Sequence, residues 1–317
     1  MSLHPQAVAL LEMFKARNLP PVEEQDLHEA RNAFIESSKV LNKQEEIYKV
    51  EDRNINGYKN EIAIRIYTPN DSASLPALVY FHGGGWVIGN IESHDALCRT
   101  FANEAQCKVI SVDYSLAPEA KFPVAVEDAY LSVKWVADNT KELGIDPHSI
   151  AVGGDSAGGN LAAVVCYLAN QRKAPEIDYQ VLFYPSTGFE PTDSYDKYGE
   201  GYYLTKATMK WFGDQYFNQP SETQSPLAAP MLIPDDEAAH LPPALIITAE
   251  YDPLCDGGEN YAKKLSAAGV NTTYLCYKGM IHGFVSMTTA LEDGNKAIKE
   301  AANYLKNHNS NKVNHKS

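Results

Sequence analysis

The sequence predicts an α/β fold: a central, mostly parallel eight-stranded sheet flanked by helices, with a helical cap, all in a single domain spanning 1–317. Two observations predict it. From Leu78 onward, short apolar runs alternate with amphipathic helical stretches. That rhythm places helices on both faces of a parallel sheet. The chain also has 317 residues, of which 44% are hydrophobic, enough to bury such a sheet.

Residues 1–44 read as helical and stand outside the alternation. Glu45 to Glu51 and Glu61 to Tyr67, joined through Asn56-Gly57, read as an antiparallel pair that opens the sheet. Six further strands follow: Ala77 to Phe81, Lys108 to Val112, Ile150 to Gly153, Gln180 to Tyr184, Ala244 to Ala249 and Thr272 to Tyr277. Asn160 to Gln171, rich in Ala, Leu and Val, reads as a helix. The stretch 187–240, rich in Tyr, Pro, Asp and Ser, departs from the rhythm again and holds one helical run, Thr205 to Phe217. The two departures, about 1–44 and 187–240, are expected to meet as a cap over the carboxyl ends of the strands. The alternative is a loose arm and a surface insertion. The polar tail Asn307 to Ser317 is expected to fray.

A formal charge of −14 argues against nucleic acid and anionic membranes as partners, since the far field repels both. Met1 to Lys15 has no basic start followed by an apolar core, and no later stretch is long and apolar enough to span a bilayer. A cytoplasmic protein without membrane insertion is expected. Cys98, Cys107, Cys166, Cys255 and Cys276 are odd in number and lack C-x-x-C spacing, so neither a zinc site nor a disulfide framework is expected.

The chemistry gathers at four places. Gly154-Asp155-Ser156-Ala157-Gly158 lies between a strand pattern and a helix pattern, where flanking glycines let a serine hydroxyl stand clear of the sheet. Ser156 is the candidate nucleophile. His282, in Gly279-Met280-Ile281-His282-Gly283-Phe284 after the last strand, is the candidate base. Asp252, in Ala249-Glu250-Tyr251-Asp252-Pro253, is the candidate acid, with Glu250 as a rival and a helix-capping role as the bland alternative. The order Ser156, Asp252, His282, each just after a strand, favours the triad. His82-Gly83-Gly84-Gly85-Trp86 follows a strand directly, and its glycines let backbone N–H groups approach a reacting carbonyl. Gly83 and Gly84, with Ala157, are therefore the candidate oxyanion donors, and His82 is expected to pin the loop. A phosphate-binding loop is disfavoured, because no Lys follows in the required spacing.

With those motifs together, the chain resembles the bacterial esterases of the hormone-sensitive lipase family, of α/β-hydrolase fold. The resemblance runs from about Ala77 to Met287 and includes Asp113-Tyr114-Ser115-Leu116-Ala117-Pro118-Glu119 and Glu127-Asp128-Ala129. Ser115 and Gly257 depart from the family's usual Arg and Glu. The resemblance implies carboxylic ester hydrolysis through Ser156, Asp252 and His282, without metal or organic cofactor, on short- to medium-chain acyl esters. Amidase, lactonase or arylacetamide deacetylase activity is the alternative within enzymes, and a non-catalytic small-ligand receptor the alternative outside them. Trp86, Tyr203, Trp211, Phe212 and Ile281 are candidate pocket residues, with ordinary packing as the alternative for the aromatics. The strand Thr272 to Tyr277 is a candidate sheet edge through which a homodimer would pair.

Overall fold

The computed structural model describes residues 2–315. Eight strands form one sheet in the order β1-β2-β4-β3-β5-β6-β7-β8. They are β1 Lys49–Asn56, β2 Glu61–Thr68, β3 Leu75–Phe81, β4 Lys108–Asp113, β5 Ile145–Asp155, β6 Tyr179–Phe183, β7 Ala244–Tyr251 and β8 Thr272–Ile281. β1 and β2 pair antiparallel, β2 and β4 pair antiparallel, and every later pairing is parallel. The hairpin closes at Asn56↔Glu61, with the Gly57 N–H donating to the Asn60 carbonyl at 2.9 Å.

β1 begins four residues later than the sequence suggests. Carbonyls that would have faced β2 are taken from the side: Asn103 Nδ2 donates to the Glu46 carbonyl at 2.9 Å and Arg99 Nη1 to that of Glu45 at 3.3 Å. β8 runs to Ile281, past the predicted end at Tyr277, and is the sheet edge opposite β1.

Alternate residues of each strand feed two cores, as the pleat requires. Val79 and Phe81 of β3 pack with Ile110, Val152 and helix α6 (Ala157–Arg172) on one face. Leu78 and Tyr80 pack with Val109, Val181 and the helices α3 (Ile91–Ala105) and α11 (Glu292–His315) on the other. The tail expected to fray from Asn307 is helical through His315. His308 anchors it, with Nε2 lying 3.1 Å from Asp178 Oδ2 and its ring 4.7 Å from that of Tyr179. Lys316 and Ser317 lie outside the described residues.

Residues 1–44 fold into α1 (Pro5–Ala16) and α2 (Leu27–Leu41). The segment 187–240 contributes α8 (Lys206–Tyr216). The two segments touch above the strand ends: Phe14 stacks on Tyr203 at 5.5 Å, and Thr208 Oγ1 donates to Glu23 at 2.9 Å. Arg31 of α2 ties this layer down, donating to the carbonyls of Val87 and Ala117, both at 2.9 Å, and pairing with the Glu119 carboxylate at 2.7 Å. Ahead of α1, the His4 N–H donates to the Gly279 carbonyl of β8 at 3.0 Å. No helix among the described residues is long and apolar enough to cross a membrane.

Candidate active site

β5 ends at Asp155 and α6 begins at Ala157, leaving Ser156 alone in the turn with φ 56° and ψ −116°. A non-glycine residue is strained there, and the surroundings hold it in place. The Ser156 N–H donates to the Phe183 carbonyl at 2.9 Å. The flanking glycines are needed because the turn presses on β3: a Cβ at Gly158 would lie 1.9 Å from the Phe81 carbonyl oxygen, and one at Gly154 2.4 Å from the Gly158 backbone.

The three polar side chains predicted from separate loops lie in one line. His282 Nε2 is 2.9 Å from Ser156 Oγ, and His282 Nδ1 is 2.7 Å from Asp252 Oδ2. Asp252 is fully buried, and its other oxygen accepts the Leu254 N–H at 2.8 Å. Glu250 is engaged elsewhere, accepting the Gly279 N–H at 2.9 Å where the β7–β8 register shifts. The Tyr184 ring packs 4.6 Å from that of His282. The imidazole thus has a donor position toward a buried carboxylate and an acceptor position toward a hydroxyl, the arrangement a proton shuttle needs.

The glycine loop departs from expectation at one residue. The Gly83 N–H donates to Asp155 Oδ1 at 2.9 Å, so it is engaged behind the loop and is not presented to the cleft. Gly84 and Gly85 line the cleft instead, and neither their N–H groups nor that of Ala157 meets an acceptor among the described residues. Gly85 has φ +59°, and a Cβ there would sit 2.2 Å from the Phe212 ring, so loop and roof are in direct contact. His82 pins the loop: Nδ1 lies 2.8 Å from the Gly83 carbonyl oxygen, and the ring stacks on Tyr114 at 4.3 Å. Burial, aided by the neighbouring His94, lowers the His82 pKa to about 3, so this imidazole is neutral at physiological pH.

The cleft in front of Ser156 has a volume of about 1240 Å³. Trp86, Tyr203 and Phe212 line it, as does His282. Ile281 does not: it is fully buried in the core beneath, because the residue before His282 points to the opposite side of β8. Trp211 is likewise off the wall and packs beside Phe212 at 5.3 Å. The sequence reading missed Phe14, Phe34, Phe189 and Phe217, which complete the apolar wall. No local motif marks them, since folding gathers them from two distant segments. Asp155 and Gly85 were visible inside the motifs, but only contacts separate their roles from those of their neighbours.

Residues 78–286 match the family model of the α/β hydrolase fold. The chain belongs to the α/β-hydrolase fold family. Within that family it is a carboxylesterase of the group resembling hormone-sensitive lipase. Its relatives include the ethyl acetate hydrolase of Pseudomonas putida, 35% identical over 319 residues, covering 97% of this chain and 100% of the relative. The carboxylic ester hydrolase LipN of Mycobacterium tuberculosis is 42% identical over 245 residues, 75% of this α/β-hydrolase and 65% of that relative. The solved structure of the hyperthermophilic esterase of Pyrobaculum calidifontis is 46% identical and superposes with a TM-score of 0.92, covering 97% of this chain and 99% of that one.

Proposed function

We propose that this carboxylesterase works through an acyl-enzyme on Ser156, with His282 as base, Asp252 as its orienting acid, and the N–H groups of Gly84, Gly85 and Ala157 as oxyanion donors. The observation that carries the reading is the hydrogen-bonded line from Ser156 Oγ through both nitrogens of His282 to the buried Asp252. Ser156 attacks the ester carbonyl as its proton passes to His282 Nε2. The carbonyl oxygen gathers charge opposite the three N–H groups, which are fixed before the reaction begins. His282 then gives the proton to the departing alkoxide, and a water repeats the sequence on the acyl-enzyme. Asp252 holds the Nδ1–H tautomer and stabilises the imidazolium that forms.

The preferred substrates are short- to medium-chain acyl esters, and residues 1–44 and 187–240 act together as the cap that encloses them. The apolar wall of Trp86, Tyr203 and Phe212 supports this, as does the ethyl acetate hydrolase among the relatives. The five free cysteines support a cytoplasmic setting, and the position of β8 at the end of the sheet order supports a homodimer through that edge.

The test is hydrolysis of p-nitrophenyl esters from acetate to palmitate, with Ser156→Ala alongside. The expected result is a peak at short or medium chains, and a loss of at least about 10⁴-fold in kcat for the variant. Turnover by Ser156→Ala near that of the parent would remove the nucleophile from the reading. A peak at palmitate would remove the chain-length preference.

A further inference from the structure

Two of the five cysteines meet near Asp252. Cys255 opens α10 (Cys255–Ala267), three residues after Asp252, and Cys276 stands on β8. Thr248 of β7 touches both. It is the ladder partner of Cys276, so their side chains share one face of the sheet, and its Oγ1 lies 3.7 Å from Cys255 Sγ. Tyr274, two residues before Cys276 and on the same face, brings its hydroxyl to that oxygen at 2.9 Å.

The two thiols are not equivalent. Cys276 is partly exposed on the edge strand, whereas Cys255 is 8% exposed. Contact with Cys255 lowers the Cys276 thiol below its ordinary value, and Thr248 and the Lys278 ammonium act in the same sense against burial. Lys278 stands two residues further along β8, with Nζ 3.7 Å from Glu250 Oε1. Contact with Cys276 and burial push the Cys255 thiol up, and burial does the same to Cys98, Cys107 and Cys166. The thiolate is the form that attacks a peroxide, so the more accessible sulfur is also the more reactive one.

We propose that Cys276 and Cys255 form a peroxide-reactive dithiol that closes to a disulfide beside Asp252. The Cys276 thiolate attacks one oxygen of hydrogen peroxide, the O–O bond breaks, and the departing hydroxide takes up a proton to become water. The Cys255 sulfur then attacks the Cys276 sulfenic acid: the S–S bond forms, the S–O bond breaks, and the hydroxide leaves with the Cys255 proton as a second water. Two electrons pass from the sulfurs to the peroxide, and the chain loses two hydrogens.

The disulfide acts on turnover through one turn of backbone. The Cys255 N–H donates to the Asp252 carbonyl at 3.0 Å, and the Leu254 N–H to Asp252 Oδ1 at 2.8 Å. Drawing Cys255 toward β8 shifts the turn that aims Asp252 at His282. This coupling rests on the triad reading above, whereas the thiol chemistry does not.

The test treats the intact chain with hydrogen peroxide, blocks the remaining thiols with iodoacetamide and maps the peptides by mass. The expected result is loss of two of the five thiols, a linked Cys255–Cys276 peptide lighter by two hydrogens, and a single-chain mass on a non-reducing gel. In the same samples kcat is expected to fall at least about threefold with KM within about twofold, and to return on adding dithiothreitol. Cys276→Ser is expected to keep the untreated kcat and to resist the peroxide. Cys276 oxidised to sulfinic acid with Cys255 still free, a disulfide joining two copies of the chain, or an equal peroxide loss in Cys276→Ser overturns the proposal. An unchanged kcat in the fully linked enzyme overturns the coupling to Asp252. Ser156→Ala is expected to form the same disulfide, so turnover by that variant would remove the triad reading and leave the dithiol standing.

Discussion

The floor and the roof of the cleft are built on different principles. In the floor, where β5, β7 and β8 end, the side chains around Ser156 are tied one to the next: Ser156 with His282, His282 with Asp252, Asp252 with the Leu254 N–H, and Asp155 with Gly83, Tyr80 and His94. In the roof, aromatic rings do most of the holding, as where Phe14 meets Tyr203 and Trp86 stacks on Tyr216 at 4.5 Å. Hydrogen bonds demand fixed distances and directions, whereas ring packing tolerates exchange of shape at similar volume. A hydrolase can therefore hold its chemistry constant while varying what it admits.

Substitution tests that division most severely at Asp252. Asp252→Asn keeps the shape of the floor but removes the acceptor that fixes the His282 tautomer, and kcat is expected to fall by about 10⁴-fold, measured on the best ester of the series. A loss below tenfold would mean that the floor does not depend on directional hydrogen bonding.

Acid sharpens the comparison next, because the floor holds buried groups whose charge state folding fixes. His82 has a folded pKa of about 3 against an ordinary 6.5, so below pH 6.5 the unfolded chain binds a proton that the folded one refuses. Its contribution is fully present above pH 6.5 and is lost progressively as the pH falls toward 3. Asp155, held below its ordinary value, adds a loss of the same sign at still lower pH. Asp113, raised to about 6 by burial, acts in the opposite sense, so the contribution of His82 is read by difference: between pH 7 and pH 4.5 the parent is expected to lose on the order of 2 kcal/mol more stability in urea unfolding than His82→Gln does. The same pH dependence in His82→Gln and the parent would contradict this.

At the seam between floor and roof, Arg31→Ala frees the carbonyls of Val87 and Ala117 and the Glu119 carboxylate. A loss of about 1–2 kcal/mol by thermal unfolding is expected, since Arg31 is partly exposed. The smallest effect is expected within the roof. Phe212→Ala should leave kcat on acetate within about threefold while raising the octanoate-to-acetate ratio of kcat/KM by roughly threefold to tenfold, because it opens space beside Gly85. An unchanged ratio would take Phe212 out of substrate selection.

The same division governs what could be read in the sequence. The strands and the elbow follow from local patterns, since apolar runs of strand length and a glycine-flanked serine need no distant partner to be recognised. Ser156, Asp252 and His282 were legible because each follows a strand. Ile281 was misplaced because the alternation that aims a side chain depends on where β8 ends, and β8 outlasts its apolar run. Gly83 was misplaced for another reason: three equal glycines differ only in which carbonyl or carboxylate their N–H groups meet. Phe14 and Phe189 carry no local signature, and their place on the wall is a property of the folded whole.

The bond from His4 to the Gly279 carbonyl has a consequence for synthesis. α1 cannot complete its bond to β8, the last strand in chain order, until Gly279 has been made, and His282 follows three residues later. The seating of α1 on β8 and the synthesis of the proposed base thus fall at nearly the same point in translation.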